Sequence, residues 1–176
     1  MLWNEYPDRL DAFTLAAACE DLQGDPPGEI PFFVWLLENP SSPLNMPGSI
    51  DLLGHDCIHL LLKKGFTPDD EAYIVGFTMG NDTNTSWIHL LILKIAAYCL
   101  YPCKYKFSYS EMKTFDRGVR LGRSTKVRNM NKFDWSKLNH KLLKDIRLEL
   151  GLDLDNYRQE AQYLDLDNYR QEVHYV

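Results

Sequence analysis

Nowhere does the chain hold the ~20 uninterrupted apolar residues needed to cross a bilayer as a helix. Its most apolar stretch, around Ile88–Lys94, is broken by polar side chains well short of that length. The first residues, Met1-Leu2-Trp3-Asn4-Glu5, have neither the basic and apolar regions of a secretory signal nor the arginines of a transit peptide. Cysteine is scarce. Without a secretory signal, Cys19, Cys57, Cys99 and Cys103 read as reduced thiols of an intracellular protein, cytoplasmic or peripheral to a membrane. No segment alternates polar and apolar residues with the period of a strand, which excludes a sheet and predicts an all-α fold. Histidine is missing before His55, so a phosphohydrolase that needs an upstream histidine ligand has no candidate.

What is present fits one soluble domain. The length is 176 residues, with 45% hydrophobic and 25% charged side chains, far from the composition of a disordered or fibrous chain. The net charge of −6 argues against nucleic acid as a partner. Its distribution is uneven. Residues 1–103 carry 4 basic and 14 acidic side chains, whereas residues 104–132 carry 9 basic and 2 acidic. That basic band contains Arg117, Arg120 and Arg123. It reads either as a solvated helix face or as a patch for phosphate, a diphosphate lipid or anionic headgroups.

Periodicity and capping residues predict a single-domain bundle of about six to seven helices over residues 1–151. An amphipathic helix is expected over Asp8–Asp21, ended by the break Gly24-Asp25-Pro26-Pro27-Gly28, and a short one over Pro31–Glu38. Ser49 is placed to cap a helix from Ile50 to Lys64 that Gly65 ends, and Thr67-Pro68-Asp69-Asp70-Glu71 opens the next, to about Met79. Ser86 begins a strongly apolar helix to about Tyr101, expected as the central core helix, with Cys99 and Cys103 as core thiols and His89 as a hydrogen-bonded core residue. Helices over Ser108–Thr125 and Asp134–Leu150 complete the set, the last stopped by Gly151.

Residues 152–176 repeat a segment of 12, from Leu152-Asp153-Leu154-Asp155-Asn156-Tyr157 and again from Leu164-Asp165-Leu166-Asp167-Asn168-Tyr169. Two copies are too few for a solenoid. The turn glycine and terminal glutamate of a calcium loop are missing. The tail reads as an extension outside the core.

The chemistry-bearing segment is Gly54-His55-Asp56-Cys57-Ile58-His59, with Glu71 following after eleven intervening residues. At about 100° per residue, His55, Asp56 and His59 share an arc of about 100° on one helix. Gly65 and Pro68 allow a reversal, which can bring Glu71 in the next helix to the same point. Two imidazoles and two carboxylates suit one divalent cation, with zinc, iron, manganese and magnesium not distinguished by the ligand set. A hydrogen-bonded polar cluster without metal is the other reading. Such a cluster is costly to bury unless paired or metallated.

His-Asp-x-x-His, eleven residues and then Glu resembles the signature of the coenzyme Q biosynthesis protein 4 family. Arg117-Gly118-Val119-Arg120-Leu121-Gly122-Arg123-Ser124-Thr125-Lys126 is similar to that family's basic Arg-Gly stretch, and Phe133-Asp134-Trp135 through Leu150-Gly151 is similar to its closing helix. The resemblance implies an all-helical protein that binds a divalent metal through His55, Asp56, His59 and Glu71, which would also be its catalytic residues. It implies a long apolar cavity for a polyprenylated ring or quinone precursor, for which the apolar run Ile88–Leu100 is a candidate wall. Arg117, Arg120 and Arg123 are candidates for the ligand's phosphate or carboxylate. The implied activity is oxidative decarboxylation of a ubiquinone precursor. A non-catalytic lipid-binding or scaffold role is the alternative, with peripheral membrane contact and biosynthetic-complex proteins or a homodimer as partners.

Overall fold

The computed structural model describes residues 7–22 and 31–154. The break at Gly24–Gly28 and the repeat beyond Leu154 lie outside them. Among the described residues the fold is all-α, with seven α-helices and no strand. They are α1 (Leu15–Glu20), α2 (Phe32–Glu38), α3 (Leu52–Leu62), α4 (Pro68–Asn81), α5 (Trp87–Cys99), α6 (Tyr109–Ser124) and α7 (Leu143–Leu150).

Local chemistry explains most boundaries. Asp51, rather than Ser49, caps α3, because its carboxylate accepts from the Gly54 N–H at 2.7 Å. The helix ends at Lys63 and not at Gly65. Lys63 adopts the left-handed conformation (φ 52°), and the N–H groups of Lys63 and Lys64 turn back to the Leu60 and His59 carbonyls. Thr67 caps α4 as expected, and its hydroxyl accepts from the Asp70 N–H. Ser86 opens α5 in a reciprocal cap with His89, whose Nδ1 accepts from the Ser86 N–H at 3.1 Å. That imidazole is thus a helix cap and not a core residue.

Two expected long helices are broken. Over Asp8–Asp21, a 3₁₀ segment (Pro7–Ala12) precedes α1, and over Asp134–Leu150, a 3₁₀ turn (Trp135–Leu138) precedes α7. Both breaks have one cause. Thr14 and Leu142 form an antiparallel bridge, in which Leu143 N–H donates to Phe13 O at 3.0 Å and Leu15 N–H to Lys141 O at 2.9 Å. Backbone groups committed to that pairing cannot also join a helical ladder.

Two apolar clusters build the core. One joins α1, α3 and α7 through Leu15, Ile58, Leu61, Leu143 and Ile146, and includes Leu152, so the core extends just past Gly151. The other joins α4, α5 and α6 through Val75, Met79, Leu93, Ala97, Phe115 and Val119. Helix α4 serves both, with Ile74 and Phe77 facing the first. Its pairing with α6 is unusually close. Cβ atoms at Gly76 and Gly118 would overlap the carbonyl oxygens of Phe115 and Tyr73, and those at Gly80 and Gly122 would overlap the oxygens of Val119 and Phe77. The Arg-Gly stretch of α6 thus owes its glycines to backbone-on-backbone packing.

Helix α5 is not a central helix. Leu93, Ala96 and Ala97 are buried, while Ile88, Leu91, Ile92 and Ile95 are exposed. Cys99 and Cys103 are exposed as well, so neither is a core thiol. Leu52 and Leu53, in the first turn of α3, are also partly open to solvent.

Candidate metal centre and cavity

The site begins with the hairpin of α3 and α4. His55 and His59 stand one turn apart on α3, their rings 4.6 Å apart between centroids and inclined at 66°. Glu71, in the first turn of α4, meets both. Its Oε2 lies 3.4 Å from His55 Nε2 and its Oε1 lies 3.4 Å from His59 Nε2. One ligand atom from each of the three falls within 4.8 Å of the others, so this group can hold a metal ion.

The protonation of the histidines fits that use. His59 is fully buried and stacks on Phe66. Its Nδ1 lies 3.3 Å from the Lys64 carbonyl oxygen, which can only accept, so Nδ1 donates there, and in the neutral ring Nε2 carries the lone pair. Nε2 is buried and makes no hydrogen bond. A buried lone pair aimed at a carboxylate oxygen leaves two acceptors face to face, an arrangement that a cation resolves. At His55, burial pushes the imidazole pKa down to about 4; the neighbouring His59 adds to the shift and Glu71 opposes it. The ring is therefore neutral near pH 7, as a metal ligand must be. The donor set fits a divalent ion: two imidazoles and one carboxylate, with positions left open.

Asp56 does not belong to the converging group. It lies beside it on the cavity wall, where burial raises its carboxyl pKa to about 6 against the opposing pull of His59. The four residues of the motif therefore resolve into three convergent groups and one neighbour.

His55, Asp56 and Glu71 border a cavity of about 370 Å³, with His59 buried behind them. Its walls are mainly apolar and come from α2 (Val34, Trp35, Leu37), from the α2–α3 loop (Met46, Ile50), from α4 (Val75, Met79) and from Phe107. Of the apolar run expected as its wall, only Leu93 lines it. Arg117, Arg120 and Arg123 do not. Arg120 and Arg123 are exposed and Arg117 is half-buried, all on α6, and the basic side chain on the cavity is Lys104.

Two groups on the cavity were not singled out by the motif. Tyr101 Oη donates to Glu38 Oε1 at 2.6 Å, and both line the wall. Burial raises the Glu38 carboxyl to about 7, the Tyr101 hydrogen bond opposes the shift, and the Glu71 charge adds to it. The available signal was modest: Glu38 is the one charge in the apolar segment Pro31–Glu38. No family model, curated protein or solved structure matches the chain.

Proposed function

We propose that this chain is a divalent-metal protein that takes a polyprenylated ring precursor into the cavity and acts in quinone biosynthesis, by oxidative decarboxylation of that precursor. The observation that carries the reading is the buried His59 Nε2, which makes no hydrogen bond and is set beside Glu71 and His55, both of which line an apolar cavity. The motif resemblance supports the pathway. His55, His59 and Glu71 would hold the ion. Once bound, it would supply a Lewis acid for an acidic head group or for oxygen.

The chain's own residues supply the rest. Burial keeps the His55 ring neutral, and the Lys64 carbonyl engages Nδ1 of His59, which leaves Nε2 of that ring turned toward Glu71. Glu38 and Asp56 can each take up or release a proton close to neutral pH, where burial places them. Tyr101 occupies one Glu38 oxygen, which leaves the other to carry the proton. The apolar walls exclude water and accept a hydrocarbon tail.

The largely apolar lining also suits a non-catalytic lipid-binding or scaffold role with the ion as an anchor. One experiment separates the readings. The chain is purified from a quinone-producing cell, and its metal and its extractable lipids are analysed together with turnover. One ion per chain, co-purified prenyl lipid, and loss of both metal and turnover in folded His59→Ala and Glu71→Ala variants are expected. Metal and lipid without turnover would select the binding role, and folded, active, metal-free protein would overturn both.

A further inference from the structure

Two of the cysteines meet. Cys57 stands between His55 and His59 in the chain, but at about 100° per residue its side chain leaves the opposite side of α3. There it is fully buried in the apolar cluster that α1 and α3 share. Cys19 of α1 packs against the same cluster and is only half-buried. Both are free thiols, and the Cys57 thiol hydrogen-bonds to the Cys19 sulfur. The apposition is held in place. Leu15 and Ala18 of α1 are buried in the shared core, and Asp11 pairs with Lys63 at 3.1 Å at the end of α3.

The pair is asymmetric in access. A small solute can reach Cys19, whereas Cys57 has no exposed surface and has Cys19 as its sulfur neighbour. The hydrogen bond also holds the Cys19 thiol below its usual pKa, against burial and the Asp56 charge. A thiol that gives up its proton more readily is more reactive toward a peroxide, and a second thiol in contact can resolve the product before it is oxidised further.

We propose that Cys19 and Cys57 form a reversible oxidation site, which hydrogen peroxide closes to a disulfide within the chain. The Cys19 sulfur attacks one peroxide oxygen. An S–O bond forms, the O–O bond breaks, and the leaving hydroxide takes the Cys19 proton as water. The Cys57 sulfur then attacks the sulfur of the Cys19 sulfenic acid. The S–S bond forms, the S–O bond breaks, and the second hydroxide leaves as water with the Cys57 proton. Two thiols thereby pass two electrons to one peroxide, and a dithiol reductant reverses the change by exchange. The chain between the cysteines carries α2 and the α2–α3 loop, which supply one wall of the cavity. The disulfide anchors that segment on the helix of His55 and His59. The site rests on the contact of two sulfurs and stands apart from the reading of the metal centre.

Hydrogen peroxide added to the reduced, chelated full chain carrying Cys99→Ser/Cys103→Ser tests it, because only this pair then remains. Free thiols should fall from two to none, and the intact mass should drop by two hydrogens. A digest should hold Cys19 and Cys57 in one linked peptide pair that dithiothreitol separates. The oxidised chain should melt several degrees higher, since the bond closes a long loop of the unfolded state. In Cys57→Ala, Cys19 should stop at the sulfenic acid and be captured by dimedone, and in Cys19→Ser, Cys57 should stay reduced. If Cys57→Ala fails to fold, peptide mapping of the oxidised wild type decides, with the same Cys19–Cys57 link expected. Peroxide that leaves both thiols free would overturn the proposal. So would a Cys19 sulfinic acid beside a reduced Cys57, or disulfides that join separate chains instead.

Discussion

His59 Nε2 and Glu71 Oε1 face each other at 3.4 Å across the α3–α4 hairpin, while Nδ1 of the same ring is tied to the Lys64 carbonyl. A divalent cation between them should stabilise the fold by mass action, by about 2.7 kcal/mol at a hundredfold excess over Kd. Adding zinc to chelated protein should therefore raise Tm by several degrees. Glu71→Gln keeps the shape and removes the charge, so its Tm should barely respond to zinc. An equal response in Glu71→Gln would remove Glu71 from the ligand set.

Glu38 predicts a pH dependence of definite sign. Its folded carboxyl is raised from about 4.5 to about 7, so the native state binds the proton more tightly than the unfolded chain. The stability this confers is complete below pH 4.5 and is lost as pH rises through 7. Glu38→Gln stays neutral and can still accept from Tyr101. It should equal wild type near pH 4.5 and exceed it by about 3 kcal/mol at pH 8. Urea unfolding of the metal-free protein at the two pH values measures this, and parallel curves would refute it.

Glycine to alanine in a helix interior ordinarily stabilises by roughly 0.5–1 kcal/mol. Gly76→Ala and Gly118→Ala should do the reverse, because each new methyl would meet a backbone carbonyl of the partner helix, which cannot swing aside as a side chain can. A loss of about 1–3 kcal/mol is expected. Thermal unfolding of either variant reads the sign directly.

Arg147 holds the C-terminal end of α3, the helix that carries His55 and His59. Its Nε donates to Leu61 O at 2.7 Å and its Nη2 to Leu60 O at 3.0 Å, while Nη1 pairs with Asp11. These carbonyls belong to the last turn of α3, where intrahelical donors run out and Leu60 O keeps only the 3.3 Å bond from the Lys63 N–H. Arg147→Ala should cost about 3 kcal/mol. Arg147→Lys should restore little of it, since one ammonium cannot reproduce the planar fork. Denaturant midpoints of the two variants give the comparison.

The parts of the fold that were legible in the sequence are those in which neighbours decide. Thr67-Pro68 with its acids fixes the start of α4, the one-turn spacing of His55 and His59 sets them together, and a short reversal brings Glu71 to them. What escaped depends on distant partners. The helices expected across Phe13 and Leu142 break because each segment gives its backbone to the other, and periodicity within either carries no trace of that. The apolar run of α5 reads alike whether its outer side meets protein or something else. Glu38 and Tyr101 are 63 residues apart, so no local pattern could join them.

The ties made by Arg147 also bear on the order in which the molecule is completed. The guanidinium that closes the carbonyl end of α3 comes 86 residues after Leu61, and its carboxylate partner Asp11 comes 136 residues before it. Contacts so remote along the chain form slowly, because a long loop must close before they return any stabilisation. During synthesis, α3 and α4 can pair early and bring His55, His59 and Glu71 together. The helix bearing both histidines stays frayed at its far end until α7 has been made. On the proposed reading, firm metal affinity would be a late acquisition of the growing chain, conferred by residues that never touch the ion.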